Sequence, residues 1–541
     1  MDVIRNKEGK CRLKVLHLVS CRRLIKTPNF STCLTLERLI VKDCDRLVEI
    51  DPSITMLQHL KHLEFKGCIG LRVLKGAPTM LNLGMVCQSW PDSLGNLKHL
   101  STLRMENLEL LELPDSIGEI PGLQVLSLHK SSVEKLPESI RKLKSLVKLI
   151  LSSTNIIELP DSIGELKRLE ILDMQGCKLR KLPKTIGMLE KLEELDATFC
   201  IFLEGEIPME IGALSSLKEL NLVGTRISEV PPSISRLSQL TGLFLYCCEE
   251  LQQLPELPTS LAHLNISSSA LQRIPDLSNL TDLRGLHLSD YGRRRYADMT
   301  HAPLNACQAQ DLQCIGRLTR LSMLTLDLLD MTALPADFTS TLTELRELRL
   351  PSSTFQSLER IPPKVGRLCF IDLESTDGWS NLHTFKYLFC FEICRSRLTE
   401  IPLDALGQLE KLRWLAVSEC QFLERLSHLP SLRKLAYLRV DKCPRLVEIQ
   451  DLEQSESLEE LRIGCCPSLK ELPDLSSLQN LSDLLLFDCN SLERLPDVNK
   501  ETCRLNVCRC KMLPHHSSPK FEWYAEHIVL SRRIVTGNFA F

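Results

Sequence analysis

Leucine returns along this chain at a fixed beat. Four consecutive segments read LQVLSLHKSSVEKLP, LVKLILSSTNIIELP, LEILDMQGCKLRKLP and LEELDATFCIFLEGEIP, and their equivalent leucines Leu126, Leu149, Leu172 and Leu195 each stand 23 residues after the last. Within one repeat, Leu146, Leu149 and Leu151 are spaced three and then two. The last two therefore share one face of a short strand and point inward. Leu169, Leu172 and Met174 repeat the arrangement. Ile156 and Leu159 fill the same core from the returning side, and Pro160 marks a turn. The stretch Asp161 to Leu166 then begins a convex segment with Ile163 and Leu166 facing in. It is too short for a long helix, so the spacing predicts a 3₁₀ turn or one or two α turns.

A period in the twenties with this spacing is the mark of a leucine-rich-repeat solenoid. The expected fold is an α/β repeat solenoid: a horseshoe or superhelix with a concave parallel β-sheet and short 3₁₀ or helical convex segments. About twenty repeats run from Leu13 to a degenerate copy ending at Pro514. Residues 1–12 form a lead-in, 13–288 are repeats with an irregular stretch at 75–99, and 289–320 interrupt the pattern as an insertion loop. Repeats resume over 321–514, and 515–541 lie outside them as a C-terminal tail. Only a dozen residues precede Leu13, so the first repeat is expected to pack on something upstream. Insertions in repeat proteins map to loops on one face, often the binding face. Arg293, Arg294 and Arg295 are therefore candidate loop contacts, set against the plain reading of a solvated loop.

The ninth position of the motif makes a tight turn whose backbone groups need partners. Here it is filled by Cys44, Cys68, Cys177, Cys200, Cys248, Cys420, Cys443, Cys466 and Cys489, with Thr154 and Thr225 as variants. A thiol or hydroxyl can hydrogen-bond to the turn backbone. Thiols one repeat apart form a ladder, not a converging tetrahedron, so buried structural cysteines are expected and no metal site. In Cys247-Cys248 and Cys465-Cys466 one member should be the turn residue and the other face out.

Residues alternating with the core leucines face outward on the concave side. One such column holds Ser127, Ile150, Asp173, Asp196, Asn221 and Phe244; the next holds His129, Ser152, Gln175, Thr198, Val223 and Tyr246. Later strands place Trp414, Tyr437, Arg439, Asp441, Arg462 and Phe487 in outward register. Aromatic residues and arginine dominate binding hot spots. Single exposed aromatics are also ordinary on protein surfaces. Phe244, Tyr246, Trp414, Tyr437, Arg439, Asp441, Arg462 and Phe487 are the candidate partner-binding residues.

Composition narrows the chemistry. Aromatic residues make up only 5% of the 541, which predicts an aliphatic core. Net charge is −3 with 25% charged residues, so no basic excess favours nucleic acid or an acidic membrane. The N-terminus MDVIRNKEGKC shows no apolar signal region, and no run reaches the ~18 apolar residues of a membrane helix. With 23 cysteines mostly in repeat register, a cytosolic or nuclear location is expected. No Ser/His/Asp or paired-carboxylate constellation can be nominated, and no cofactor is expected.

The repeat resembles the C-terminal region of plant intracellular nucleotide-binding leucine-rich-repeat immune receptors, particularly those with an N-terminal TIR domain. The residues that carry the resemblance are LKVLHLVSCRRLIKTPNF (13–30, from Leu13), LERLIVKDCDRLVEIDPSI (36–54), LPDSIGEL (159–166) and LEELRIGCCPSLKELPDLSSLQNLSDLLLFDCNSLERLP (458–496). The resemblance covers residues 13 to about 514. No Gly-x-x-x-x-Gly-Lys-Ser/Thr phosphate loop occurs and no TIR domain precedes the repeats, so neither nucleotide switching nor NAD cleavage carries over. What the resemblance implies is a protein-recognition arm that senses a pathogen effector or a modified host protein and contacts a nucleotide-binding switch domain. The competing expectation is a general intracellular leucine-rich-repeat scaffold for signalling complexes, whose LPxSIGxLxxLxxL pattern appears near 159–172.

Overall fold

The computed structural model describes residues 12–71, 95–271, 276–289, 309–328, 338–355, 362–376, 379, 382, 385–499 and 503–513. Arg293, Arg294 and Arg295, the tail 515–541 and much of the 75–99 stretch lie outside the described residues. The chain divides into two compact units, residues 1–275 with 292–299, and residues 276–291 with 300–541.

The first unit is a parallel stack of short strands, one per repeat. Leu126, Leu149, Leu172 and Leu195 pair in direct register across four strands, and none is more than 1% exposed. The returning side is as regular. Five-residue 3₁₀ segments at Asp115–Glu119, Glu138–Lys142, Asp161–Glu165, Lys184–Met188, Met209–Ala213 and Pro232–Arg236 each follow a proline in extended backbone. Proline presets the φ needed to leave the inner turn and lacks the N–H that would go unpaired there. Ile163 and Leu166 are fully buried, as the spacing predicts. Gly164 lets adjacent segments touch: a Cβ there would sit 2.6 Å from the Thr185 carbonyl oxygen of the next repeat.

Most of these strands turn through a residue in the left-handed region. Lys130, Ser153, Phe199 and Cys247 have φ between 56° and 60°, and each directly precedes the turn residue. Gly176 and Gly224 fill the same place at φ 69° and 71°. The outward member of the Cys247-Cys248 pair is thus the strained one, and it is half-buried where Cys248 is fully buried.

The concave strands of the second unit have five residues, as do Val15–Val19, Arg38–Lys42, His62–Lys66, Thr102–Glu106 and His263–Ser267 towards the ends of the first; those of the second include Gly285–Ser289, Met323–Asp327, Glu347–Pro351, Arg367–Ile371, Cys390–Cys394, Trp414–Ser418, Tyr437–Asp441, Glu460–Gly464 and Asp483–Phe487. Leu286 pairs directly with Leu324, so the insertion leaves the sheet register intact. Its last part differs from the expected loop. Residues Ala309–Arg317 form a 3₁₀ segment, because Leu312, Ile315 and Leu318 at spacing three all turn inward and are buried. The core here is also less aliphatic than composition suggests. Phe391 makes edge-to-face contacts with Phe370 at 5.4 Å and Trp379 at 5.7 Å, a geometry that adds to simple burial.

Candidate functional site

The turn cysteines are structural. In the first unit the thiols donate to a carbonyl of the preceding repeat, Cys177 to Leu151 at 3.0 Å, Cys200 to Met174 at 3.0 Å and Cys248 to Leu222 at 3.1 Å, whereas Cys420, Cys443 and Cys466 donate to a carbonyl of their own strand, that of Ser418, Asp441 and Gly464. Thr225 uses its hydroxyl instead, 2.7 Å from the Leu222 carbonyl. Burial pushes the Cys248 thiol up to about 11 and the Cys68 thiol up to about 12. A thiol held that high is a poor nucleophile at neutral pH. Among the described residues, no group of three or more His, Cys, Asp or Glu side chains is placed to hold a metal ion, and no helix is long and apolar enough to cross a membrane.

The concave face of the second unit carries paired charge. Arg349 reaches past the intervening strand to Glu392 at 2.6 Å. Arg395 holds two carboxylates at once: Asp327 through 2.6 and 2.9 Å bonds and Asp372 through 2.8 and 3.0 Å bonds. Burial opposes the Arg395 charge, but hydrogen bonds to Asp372 and Asp327 more than restore it, so its pKa stands raised. Such a bidentate guanidinium fixes geometry as well as charge. Near Arg349, burial first and the guanidinium second hold His287 down at about 3, so its imidazole is neutral at physiological pH.

Arg395 is itself one of the left-handed turn residues, and its column alternates in sign. Asp372, Arg395, Glu419 and Lys442 occupy it in succession, followed by Cys465, Asp488 and Arg509. Lys442 bonds Glu419 at 3.0 Å and Arg509 bonds Asp488 at 2.6 Å. The column closes the edge where the strands end.

The opposite edge, where the strands begin, is aromatic. Trp414 and Tyr437 stack at 5.2 Å with 24° between their planes. The Tyr437 hydroxyl donates to Glu459 at 2.9 Å, and Arg413 lies over the same ring at 5.9 Å while pairing with Glu459 at 2.8 Å. Two neighbouring rings continue the row: Phe389, 45% exposed, beneath Arg367 at 5.7 Å, and Tyr387, 58% exposed, beneath the Lys411 ammonium at 4.8 Å.

The sequence-selected residues divide between these settings. Trp414 and Tyr437 come together as the stacked pair. Arg439 and Arg462 are register neighbours on the concave face, and each is held by a carboxylate of its own strand, Arg439 by Asp441 at 3.3 Å and Arg462 by Glu460. Asp441 is buried. Phe487 lies over Gly464, whose missing side chain makes room for the ring. Phe244 departs from expectation. It keeps outward register but is only 7% exposed, because its ring folds back over Gly242. Tyr246 remains half-buried on the first unit. Sequence reasoning missed Tyr387, Phe389, Lys411, Arg413 and Arg395. The signal was available one to three residues before each strand, and in the alternating signs ahead of the turn residue.

Residues 202–375 match the family model of a leucine-rich repeat region. The chain carries leucine-rich repeats. Among solved structures it is similar to a leucine-rich-repeat protein of Leptospira interrogans, at 24% identity over 84% of this chain and 91% of that one, TM-score 0.49. It is also similar to the plant peptide hormone receptor RGFR1 in complex with RGF2, at 19% identity over 90% and 92% of the two chains, TM-score 0.43. A third is the Arabidopsis receptor kinase HAESA with the peptide hormone IDA and the co-receptor SERK1, at 17% identity over 92% and 85%, TM-score 0.43. The leucine-rich repeats of this chain present one long outward face per unit, and on the second unit that face is bounded by the charge ladder at one edge and the aromatic row at the other.

Proposed function

We propose that this chain is a protein-recognition solenoid of the plant intracellular immune-receptor kind, sensing a pathogen effector or a host protein altered by one. The observation that carries recognition is the row of rings and cations in which the half-buried Trp414 and Tyr437 adjoin the exposed Tyr387 and Phe389. Aromatic and arginine side chains of this kind supply large contact area at small entropic cost. The immune-receptor part rests on the repeat consensus, with cysteine at the turn in most copies of the repeats at both ends. A nucleotide-binding switch domain is the second partner this reading expects, and the cytosol or nucleus the compartment.

The test is site-specific photocrosslinking. A photoreactive amino acid replaces Trp414 in the full chain, expressed in leaf tissue with and without a panel of pathogen effectors. Crosslinks to an effector, or to a host protein only when an effector is present, are expected. A constant set of host signalling proteins, unchanged by infection, would instead support a general scaffold. Absence of any protein crosslink overturns the recognition reading.

A further inference from the structure

The aromatic edge of the second unit has a charge pattern that the recognition reading leaves unused. One or two residues before the core leucines of three successive repeats, Leu388, Leu412 and Leu435, stand Lys386, Lys411, Arg433 and Lys434, all exposed. Among the described residues none of the four takes part in an ion pair, whereas Lys364, Arg367 and Arg413 on the same edge are each paired with a glutamate. At these positions, one or two residues before the three leucines, the only acid is Glu410. The chain as a whole is slightly acidic, at −3, so this is a local surplus and not a general one. It is also bounded: Glu344 and Glu347 lie before it, and Glu456, Glu459 and Glu460 after it.

We propose that this edge binds an acidic protein segment with one apolar anchor. Lys386, Lys411, Arg433 and Lys434 meet its carboxylates, and the rings of Tyr387, Phe389 and the Trp414–Tyr437 pair take the anchor. The proposal rests on the recognition reading above and names the partner chemistry. Three observations select a protein segment over other polyanions. The Trp414 and Tyr437 faces are turned on each other, and Lys411 and Arg367 cover Tyr387 and Phe389. One face of each ring is thus taken, which leaves less open surface for a nucleobase to stack on. The flanking glutamates would repel a phosphate backbone or lipid plane extending past the cations. Three repeats at strand spacing span roughly 10 Å, the length of about three extended residues, which fits a short segment. Screening follows from exposure: the attraction should weaken as salt shortens the Debye length.

The experiment uses the full chain and four probes. These are a fluorescein-labelled peptide with one tryptophan among aspartates and glutamates, the same peptide with lysines for the acids, a labelled single-stranded oligoribonucleotide, and phosphatidylserine vesicles. The acidic peptide is expected to bind and the basic one not. The triple variant Lys386→Glu/Lys411→Glu/Lys434→Glu should weaken acidic-peptide binding about tenfold or more and remove most of its salt dependence. Trp414→Ala/Tyr437→Ala should weaken it comparably while keeping the salt dependence. Lys181→Glu on the first unit should change nothing. If the triple variant fails to fold, the corresponding lysine-to-glutamine set answers the same question. Equal binding of both peptides, or binding of oligoribonucleotide or vesicles without the acidic peptide, overturns the proposal. The two readings fail separately. A Trp414 crosslink to an effector or host protein that survives the triple variant unchanged sinks the acidic-segment proposal and leaves recognition standing. No crosslink to any protein sinks recognition, whatever the peptide does.

Discussion

The two units use the same repeat for different ends. From Leu113 to Leu245 the first unit is nearly uniform, with three- and four-residue inner strands, a proline before each 3₁₀ segment, and glycines where those segments touch. Against that stretch, the second unit keeps the leucine columns but has longer strands, packs aromatic rings edge-to-face in its core, and spreads long charged side chains over its concave face. In the first unit order comes from identical neighbours stacking. In the second, specific side chains reach between repeats, and the repeats are no longer interchangeable. A repeat frame fixes backbone position cheaply and leaves the outward columns free to vary; among the described residues, it is the second unit that uses this freedom for side-chain contacts spanning several strands.

The sharpest way to break the contrast is at Arg395. Arg395→Ala leaves Asp327 and Asp372 facing each other with no cation between them, and losing charged hydrogen bonds in this half-buried setting should cost about 1.5–3 kcal/mol. Hydrogen exchange should show the second unit opening while the first keeps its protection. The reciprocal change is Gly164→Ala in the first unit. Its new Cβ presses on the Thr185 carbonyl, and overpacking of this sort costs about 1–3 kcal/mol. The loss should be confined to the first unit.

Acid should also separate the units. The folded state holds His287 at about 3, against 6.5 for the free side chain. A depressed pKa contributes stability that is complete above 6.5 and is lost as pH falls from there toward 3. Allowing for relaxation around the charged ring, we expect roughly 1–2 kcal/mol of that loss between about pH 6.5 and 4.5. A His287→Gln chain, followed by denaturant melts across this range, should have a flatter acid limb in the second unit. Unchanged pH dependence would remove His287 from the account.

The smallest effect lies on the first unit's concave face, where Asp196 and Glu219 are adjacent to further acids. Burial first, and then Asp173 and Glu194, raise Asp196; burial, Glu194 and Asp196 raise Glu219. A raised carboxyl contributes stability at low pH that is lost as pH rises through its folded pKa. Asp196→Asn and Glu219→Gln should therefore stabilise the unit at neutral pH, by about 0.5 kcal/mol each as for other adjacent like charges. The gain should vanish in acid.

How much of this was legible in sequence depends on whether a feature is repeated. The inward leucines, the 3₁₀ segments after proline and the buried turn cysteines all recur, and a periodic reading finds them. Phe244 was misread because its burial depends on Gly242 two residues earlier, a local substitution with no periodic trace. The left-handed residue before the turn was hidden by its variety: lysine, serine, phenylalanine and arginine all occupy it. Trp414 and Tyr437 were readable as outward residues one repeat apart. Their neighbours Tyr387 and Phe389 were not, because each ring meets a cation contributed by a different repeat.

The reach of Arg395 also bears on how such a gene can change length. Its carboxylate partner Asp327 lies beyond two intervening strands, Glu347–Pro351 and Arg367–Ile371. Duplicating or deleting a repeat between them by unequal recombination would restore the leucine register yet pull the guanidinium away from its mate. In the uniform stretch around Leu149 and Leu172 the same event would simply add or remove a copy. The clamp thus acts as a ruler on the genetic history of the second unit, while the first can be lengthened, shortened and shuffled.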